Sequence, residues 1–271
     1  MRARFFRTVG TQRAPRFVFG PGPVRENLAI GHMAMTVGVV ERDDGSIVLV
    51  DCGYSEEICA NPKGVYAVMR ALSLGAEATA EDAILRQLQA LGYDARKVTH
   101  VLATHLHNDH VGGIADFPNA ELVVSRREFA GFLSQPRGAG YLAQDLIDAG
   151  RIRLFETNEE PRYGFPASFD FFGDGELVLL DAKGHTRGSL AVAIDDGKRP
   201  YIHIGDAAYQ SWEYGLAPAG PSRLGASVAW NRDELRATYG AIRAAENHDR
   251  RPIIVPAHDL PIYETLPHEP G

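Results

Sequence analysis

Short apolar runs of strand length alternate with helical periodicities along the chain. Residues 36–41 and 46–51 are nearly continuous in Val, Ile and Leu and are separated by Arg-Asp-Asp-Gly, the spacing of a β-hairpin. Thr79-Ala-Glu-Asp82 has the form of a capping box, and Ala83, Leu85, Leu88 and Leu91 then recur at helical spacing until Gly92. Residues 98–104 predict a buried strand and 121–125 another. Residues 126–149 read as helical with a break at Gln135-Pro-Arg-Gly138. In the second half, strands are predicted at 176–181, 189–195, 201–205 and 252–255. A helix is predicted from a cap at Asn231, with Glu234 three residues on, to about residue 247. Strands in both halves with helices between them imply a layered α/β protein. Residues 1–35, rich in Arg, Gly and Pro with Phe5, Phe6, Phe17 and Phe19 interspersed, read as an irregular arm packed by aromatics.

Composition narrows the class. A chain of 271 residues buries a substantial core. Without a repeat, a low-complexity stretch or a linker, residues 1–271 read as a single domain. Its 45% hydrophobic and 23% charged content is that of an ordinary soluble globular protein. A net charge of −7 argues against nucleic acid as a partner, since phosphate binding needs clustered basic surface. The basic concentration at Arg2, Arg4, Arg7, Arg13 and Arg16 reads as a solvated arm. Neither a signal-peptide core nor an apolar run of membrane-spanning length is evident, so the expectation is a cytoplasmic protein with no membrane partner. The two cysteines, Cys52 and Cys59, make no disulfide framework and read as packing thiols.

The candidate chemistry lies in Thr104-His-Leu-His-Asn-Asp-His-Val-Gly-Gly113. His105, His107, Asp109 and His110 are four metal-competent side chains in six residues, directly after an apolar run. Imidazoles and carboxylates left dry and unpaired would carry a desolvation cost, which a bound cation removes. Three further residues stand at strand ends. His185 lies in Lys-Gly-His-Thr-Arg-Gly-Ser, Asp206 follows Tyr-Ile-His-Ile-Gly, and His258 follows Ile-Ile-Val-Pro-Ala. Strand ends in an open α/β sheet converge on one rim, where ligand sites gather. Singly, each of the three reads as a hydrogen-bonding loop residue.

Together and in order, His-x-His-x-Asp-His, Gly-His-Thr-x-Gly-Ser, Gly-Asp and Pro-Ala-His resemble the metallo-β-lactamase superfamily over residues 36–258. The resemblance implies a four-layer αβ/βα sandwich with metals at one edge of the two sheets. It implies that His105, His107 and His185 hold one metal, that Asp109, His110 and His258 hold the second, and that Asp206 bridges them. His100 and His203 lie within strand runs and read as structural, while His32, His248 and His268 read as solvated or loop residues. Two divalent ions roughly 3.5–4 Å apart share a hydroxide that attacks a carbonyl or phosphoryl centre. The ligand types favour zinc and leave iron, manganese and cobalt open. Asp109 is placed among the catalytic groups because it can also orient that hydroxide.

The superfamily spans many hydrolases, so the fold alone does not choose among them. A bridging aspartate is unlike the β-lactamases proper, no flavodoxin-like extension is present, and the acidic balance disfavours RNA processing. In the N-acyl homoserine lactone lactonases of this superfamily a tyrosine sits three residues after the bridging aspartate, and Tyr209 has that spacing from Asp206. The resemblance implies a catalytic Tyr209 whose phenol assists the oxyanion or the leaving group; the alternative is a tyrosine packed beside a strand end. The expected activity is therefore ring opening of a lactone, N-acyl homoserine lactone first among substrates, by a quorum-quenching lactonase. A pyridoxolactonase-like enzyme, another small-lactone or ester hydrolase, a glyoxalase II-type thioesterase and a phosphodiesterase stay open. A non-catalytic metal-binding protein is disfavoured by the intact ligand set.

Two departures mark this chain. Asn108 stands where those lactonases often carry an apolar residue, and Arg187 stands where proline is usual. Arg187 is either solvated or meets a substrate carboxylate. Segments 11–35, 53–64 and 207–230, with Trp212, Tyr214 and Trp230, wall an apolar acyl cleft or form a homodimer contact.

Overall fold

The computed structural model describes residues 1–8, 12–15, 30–61, 67, 78–134, 151–215 and 221–268. Thirteen strands are found among them: β1 (Arg2–Arg7), β2 (Gln12–Pro15), β3 (Ile30–Met33), β4 (Thr36–Glu41), β5 (Ile47–Val50), β6 (Val98–Leu102), β7 (Glu121–Ser125), β8 (Ile152–Phe155), β9 (Ser168–Asp170), β10 (Leu177–Asp181), β11 (Leu190–Ile194), β12 (Tyr201–Gly205) and β13 (Ile253–Pro256). They form a six-stranded sheet in the order β1-β4-β5-β6-β7-β8, a five-stranded sheet in the order β13-β12-β11-β10-β9, and the pair β2-β3. Both large sheets are mixed. β4 to β5 is an antiparallel hairpin, β5 through β8 are parallel, and β12 to β13 is a parallel pair at the edge of an antiparallel sheet.

The near-continuous apolar runs have a simple cause. Each sheet is covered on both faces, so successive side chains, which point to opposite faces, are both buried. Val48, Val50, Leu102 and Val123 of the first sheet meet Leu177, Leu179, Val192 and Val255 of the second in a core between the sheets. Their neighbours Ile47, Leu49, Val101 and Val124 face outward onto Ile84 and Leu88 of helix Ile84–Ala90. On the far side Val178, Leu180, Ala193 and Ile202 pack against Leu235, Tyr239 and Ile242 of helix Arg232–Glu246. The layers are therefore helix, sheet, sheet, helix. His203 points from β12 into this sandwich, fully buried, and its Nε2 donates to the carbonyl of Thr36 at 2.9 Å, stitching one sheet to the other.

The start of the chain differs from expectation. The segment read as an irregular arm opens as strand β1, paired with β4 over its whole length from Arg2↔Glu41 to Arg7↔Thr36. Ala3 and Phe5 face the inter-sheet core and Phe6 the outer one, an alternation that the interleaved arginines disguise in the sequence. Arg4 is buried with them because Nη1 donates to the Tyr93 hydroxyl. A hairpin of β2 and β3 follows, and positions 9–11 and 16–29 of that segment lie outside the described residues, as does the predicted helical continuation over 135–149. Helix Arg126–Leu133 precedes it. The helix predicted from Thr79 divides in two. Thr79 and Asp82 close a capping box around a 3-10 turn, Ala80–Asp82, and the α-helix begins at Ile84. Among the described residues, no helix is long and apolar enough to cross a membrane.

The entry to helix Arg232–Glu246 does more than cover the second sheet. Asn231 caps it by accepting from Asp233 N at 2.9 Å and Glu234 N at 3.2 Å. The same entry pins the β10–β11 turn, since Asn231 N donates to Gly184 O and Trp230 N to His185 O. Gly184 has φ +130°, and a Cβ there would lie 2.3 Å from Leu235 N. Gly184→Ala is expected to destabilise the fold by at least about 2 kcal/mol, from strain and overpacking together, as read by denaturant unfolding; a neutral result would mean that this contact yields easily.

Candidate metal centre

Four strand ends converge on one rim of the sandwich. β6 runs through Ala103 and Thr104 into the His105–His107 loop and a single turn of helix, Asn108–Val111, which carries Asp109. The β10–β11 turn brings His185, β12 ends at Asp206, and β13 ends at His258. Seven side chains that the sequence singles out thus come together as two groups, His105, His107, His185 and Asp206 in one and Asp109, His110 and His258 in the other. Within each group the donor atoms lie within 4.8 Å of one another.

In the first group His107 Nδ1 lies 2.9 Å from His105 Nε2 and 3.1 Å from His185 Nε2. Asp206 Oδ2 faces the same space, 3.5 Å from His185 Nε2 and 3.9 Å from His105 Nε2. Its other oxygen, Oδ1, turns to the second group at 3.2 Å from the Nε2 atoms of both His110 and His258. Asp109 Oδ2 closes that side at 3.6 Å from His258 Nε2 and 3.9 Å from His110 Nε2. One carboxylate therefore belongs to both groups.

The electrostatics divide the two groups. Burial drives His105 well below the ordinary histidine range, helped by His110, His107 and His185 beside it. Burial also lowers His107 and pushes His185 down to about 3. That side presents neutral rings, each with a lone pair that a cation can take up. Burial is the largest single influence at His110 and His258 and works against charge, but the carboxylates together raise both: Asp206, Asp51 and Asp109 at His110, Asp206 and Asp109 at His258. Asp206 stays ionised well below its ordinary range despite its burial, because His258 and His110 face it. Neutral imidazoles on one side and concentrated negative charge on the other are what divalent cations need.

The donor set fits metal ions on a second count. Among the described residues His110 Nε2 and Asp206 Oδ1, although 3.2 Å apart, are buried without a well-aligned hydrogen bond, a state that costs about 1–3 kcal/mol for each group unless something binds there. Three outward ring nitrogens are meanwhile fixed, while His185 Nδ1 has no partner among the described residues. His110 Nδ1 donates to Asp51 Oδ2 at 2.7 Å, His258 Nδ1 to the Ala34 carbonyl at 2.6 Å, and His105 Nδ1 lies 3.1 Å from Thr104 Oγ1. Such partners set the tautomer and leave Nε2 to ligate.

Asp51 is a functional residue that sequence reasoning missed. It is fully buried with φ +59° at the end of β5 and accepts from Thr104 N and Oγ1, both at 2.8 Å, as well as from His110. The only signal was a carboxylate placed directly after the wholly apolar strand Ile47–Val50. Its partners lie 53 and 59 positions away, which no local pattern reveals.

Tyr209 lies over this centre. Its ring stacks on His258 with centroids 5.2 Å apart and planes 18° apart, and it meets His185 edge-on at 6.0 Å. Burial first, then Asp206, Asp109 and Glu213, raises its phenol well above the ordinary 10, so it is a proton donor. The loop bearing it hangs on Glu213, whose carboxylate accepts from Tyr209 N and Gln210 N at 3.1 Å, Ser222 N at 3.0 Å and the Tyr239 hydroxyl at 3.1 Å. Gln210 Nε2 in turn donates to the His258 carbonyl at 2.7 Å.

The aromatic residues proposed as cleft walls separate. Tyr214 is buried in the core beneath helix Arg232–Glu246, while Trp230 is exposed and carries the Arg187 guanidinium at 4.0 Å from its ring centroid. Arg187 is therefore stacked, neither freely solvated nor ion-paired among the described residues. Cys52 and Cys59 are buried free thiols.

Two outcomes are expected. Asp51→Asn keeps a residue that tolerates positive φ but loses a charged acceptor, so metal affinity in chelator competition should fall about 10–100-fold. Burial lifts Glu213 from 4.5 to about 7 in the folded protein. Between those values the folded carboxyl keeps a proton that the unfolded one has lost, so its contribution to stability declines as pH rises through that window. Urea unfolding across that range should show the decline in the wild type and a flatter profile in Glu213→Gln; parallel profiles would contradict it.

Comparison with known proteins agrees with this geometry. The family model of the metallo-β-lactamase superfamily matches residues 35–239. A probable metallo-hydrolase of Mycobacterium tuberculosis is 36% identical over 244 residues, covering 83% of this chain and 74% of its own length. The N-acyl homoserine lactonase AttM of Rhizobium radiobacter is 30% identical over 221 residues, 79% of this chain and 78% of its own. Among solved structures, a point mutant of Bacillus thuringiensis AiiA with N-decanoyl-L-homoserine bound at its active site superposes with a TM-score of 0.73 at 18% identity, covering 99% of this chain and 97% of that one. The helix–sheet–sheet–helix sandwich, the dinuclear donor set at its rim and the family match together identify the chain as a member of the metallo-β-lactamase superfamily, a metallo-hydrolase with a dinuclear metal-binding site.

Proposed function

We propose that the protein is a dizinc lactonase that opens N-acyl homoserine lactones, with His105, His107, His185, Asp109, His110 and His258 as ligands and Asp206 as the bridge. The observation that carries the lactone is Tyr209. It follows Asp206 by three residues and stacks on His258 at 5.2 Å, so its hydroxyl is carried on a ring packed against the metal ligands. The relative named N-acyl homoserine lactonase, alike over more than three quarters of both chains, supports the same substrate class.

When bound, the two ions supply the acidity that makes hydroxide from water near neutral pH and polarise the ester carbonyl. The chain's own groups do the rest. Tyr209 donates its phenol proton in a hydrogen bond to the oxygen that gains negative charge as the ring opens, an interaction stronger in the transition state than in the ground state. Asp109, with less burial than the other ligands of its group, orients the attacking water. Glu213 and Gln210 hold the tyrosine in register with His258. A small lactone is the only partner this reading needs, and the cytoplasm is its compartment.

The test is pH-monitored acid release from the zinc-loaded protein, using N-acyl homoserine lactones of graded acyl length beside pyridoxolactone, a glutathione thioester and a bis-aryl phosphate. The highest kcat/KM is expected on a homoserine lactone, and Tyr209→Phe is expected to lower kcat on the order of 10²-fold. A higher kcat/KM on the thioester or the phosphodiester would replace the lactonase assignment, and an unchanged rate in Tyr209→Phe would remove the phenol from the mechanism.

A further inference from the structure

Helix Arg126–Leu133 carries none of the seven donors, yet its first turn holds Glu128, a carboxylate only 1% exposed. A carboxylate so deeply buried persists only if its lone pairs are satisfied. Oε1 accepts at 3.0 Å from the amide of Leu106, the residue between His105 and His107. Oε2 accepts from Thr186 Oγ1 at 2.6 Å and from Gly188 N at 3.1 Å, residues on the turn that carries His185. The helix end is fixed to the same turn. Ser125 Oγ accepts from Glu128 N at 3.0 Å and donates to Gly188 O at 2.9 Å, and a Cβ on Gly188 would lie 2.2 Å from Glu128 N.

Every hydrogen bond of the Glu128 carboxylate among the described residues thus runs to the two loops bearing His105, His107 and His185, and its amide is held by the Ser125 cap. None reaches Asp109, His110 or His258. The first loop comes from the first sheet and the turn from the second, so these ligands meet across the gap between sheets with no covalent tie nearby. One carboxylate grips both sides of that gap.

We infer that Glu128 is a positioning residue for the three-histidine pocket alone, setting the separation of the 105–107 loop from the His185 turn and thereby the affinity of that pocket for its metal. The inference goes beyond the proposed reaction and holds whichever ester the enzyme cleaves. Carboxylates that orient ligands through one intermediate group typically change metal affinity 10–100-fold when altered. A merely structural role would instead weaken both pockets together through loss of fold.

Two backgrounds separate the pockets. His258→Ala leaves the three-histidine pocket as the tighter site, and His185→Ala leaves the Asp109–His110–His258 pocket. Cobalt(II) affinity is measured in each by competition with a chelating dye, with the cobalt absorption spectrum as the signature of ligand geometry. Adding Glu128→Gln is expected to weaken binding about tenfold or more in the His258→Ala background and to shift its spectrum, while affinity in the His185→Ala background stays within about threefold. Thr186→Val, which deletes a single donor to Glu128, is expected to act in the same direction more weakly. Unchanged affinity in the His258→Ala background, or equal losses in both, would overturn the inference. If Glu128→Gln does not fold by circular dichroism, the Thr186→Val comparison decides on the same two outcomes.

Discussion

Asp206 is an ionised carboxylate buried at the meeting point of two sheets, and it is stable there only because cationic or metal-binding groups face both of its oxygens. Oδ2 looks toward His105 and His185, and Oδ1 toward His110 and His258. For one side chain to serve both groups, the end of β12 must come very close to the end of β6. The chain permits this at Gly205, where φ is +52° and a Cβ would lie 2.6 Å from Thr104 Oγ1. Thr104 in turn bonds Asp51, and Asp51 bonds His110. The rim is thus a single connected polar network closing the apolar sandwich, and the packing of the layers beneath it determines whether the seven donors meet.

Seen from the centre outward, each covering element has a second task. Helix Arg232–Glu246 buries the far face of the second sheet and also clamps the His185 turn through Asn231, Trp230 and Leu235. Helix Ser211–Gly215 contributes Glu213, which holds the amides of Tyr209 and Gln210. His203 ties the sheets together between Thr36 and β12, while its neighbour Asp206 takes up the metal-binding role. Buried carboxylates recur as organisers in this arrangement. Asp51 and Glu128 each collect donors from segments far apart in sequence, which makes the position of their loops a consequence of the fold and not of local turn preference, whereas Glu213 gathers the amides of its own neighbourhood and adds the Tyr239 hydroxyl.

What was legible in the sequence follows from range. The decapeptide from Thr104 to Gly113 is local, so four donors declared themselves by density, and His185, Asp206 and His258 joined them through strand-end position and order. The hairpin β4–β5, the strands β6, β7 and β10 to β13 and the capped helix Arg232–Glu246 were readable because their apolar runs and caps are uninterrupted. β1 was not, because Arg2, Arg4 and Arg7 mask its alternation and the Arg4 guanidinium is met by the Tyr93 hydroxyl, 89 positions away. β8 and β9 are three or four residues long with mixed polarity, and pairing with their neighbours is what makes them strands. Asp51 and Glu128 were invisible for the same reason: a carboxylate discloses its role only through donors that the fold delivers. Tyr214, grouped with the cleft aromatics by sequence, proved to be core because the helix above it is not adjacent in sequence.

The central claim is that one carboxylate joins two metal-binding groups into a dinuclear centre. The most direct measurement is metal content per chain by elemental analysis, in protein loaded with zinc and then dialysed against buffer, for the wild type and for Asp206→Asn. The account predicts about two ions per wild-type chain and a marked loss from both groups in Asp206→Asn. A wild type that keeps at most one ion, or an Asp206→Asn variant that keeps both, would contradict it.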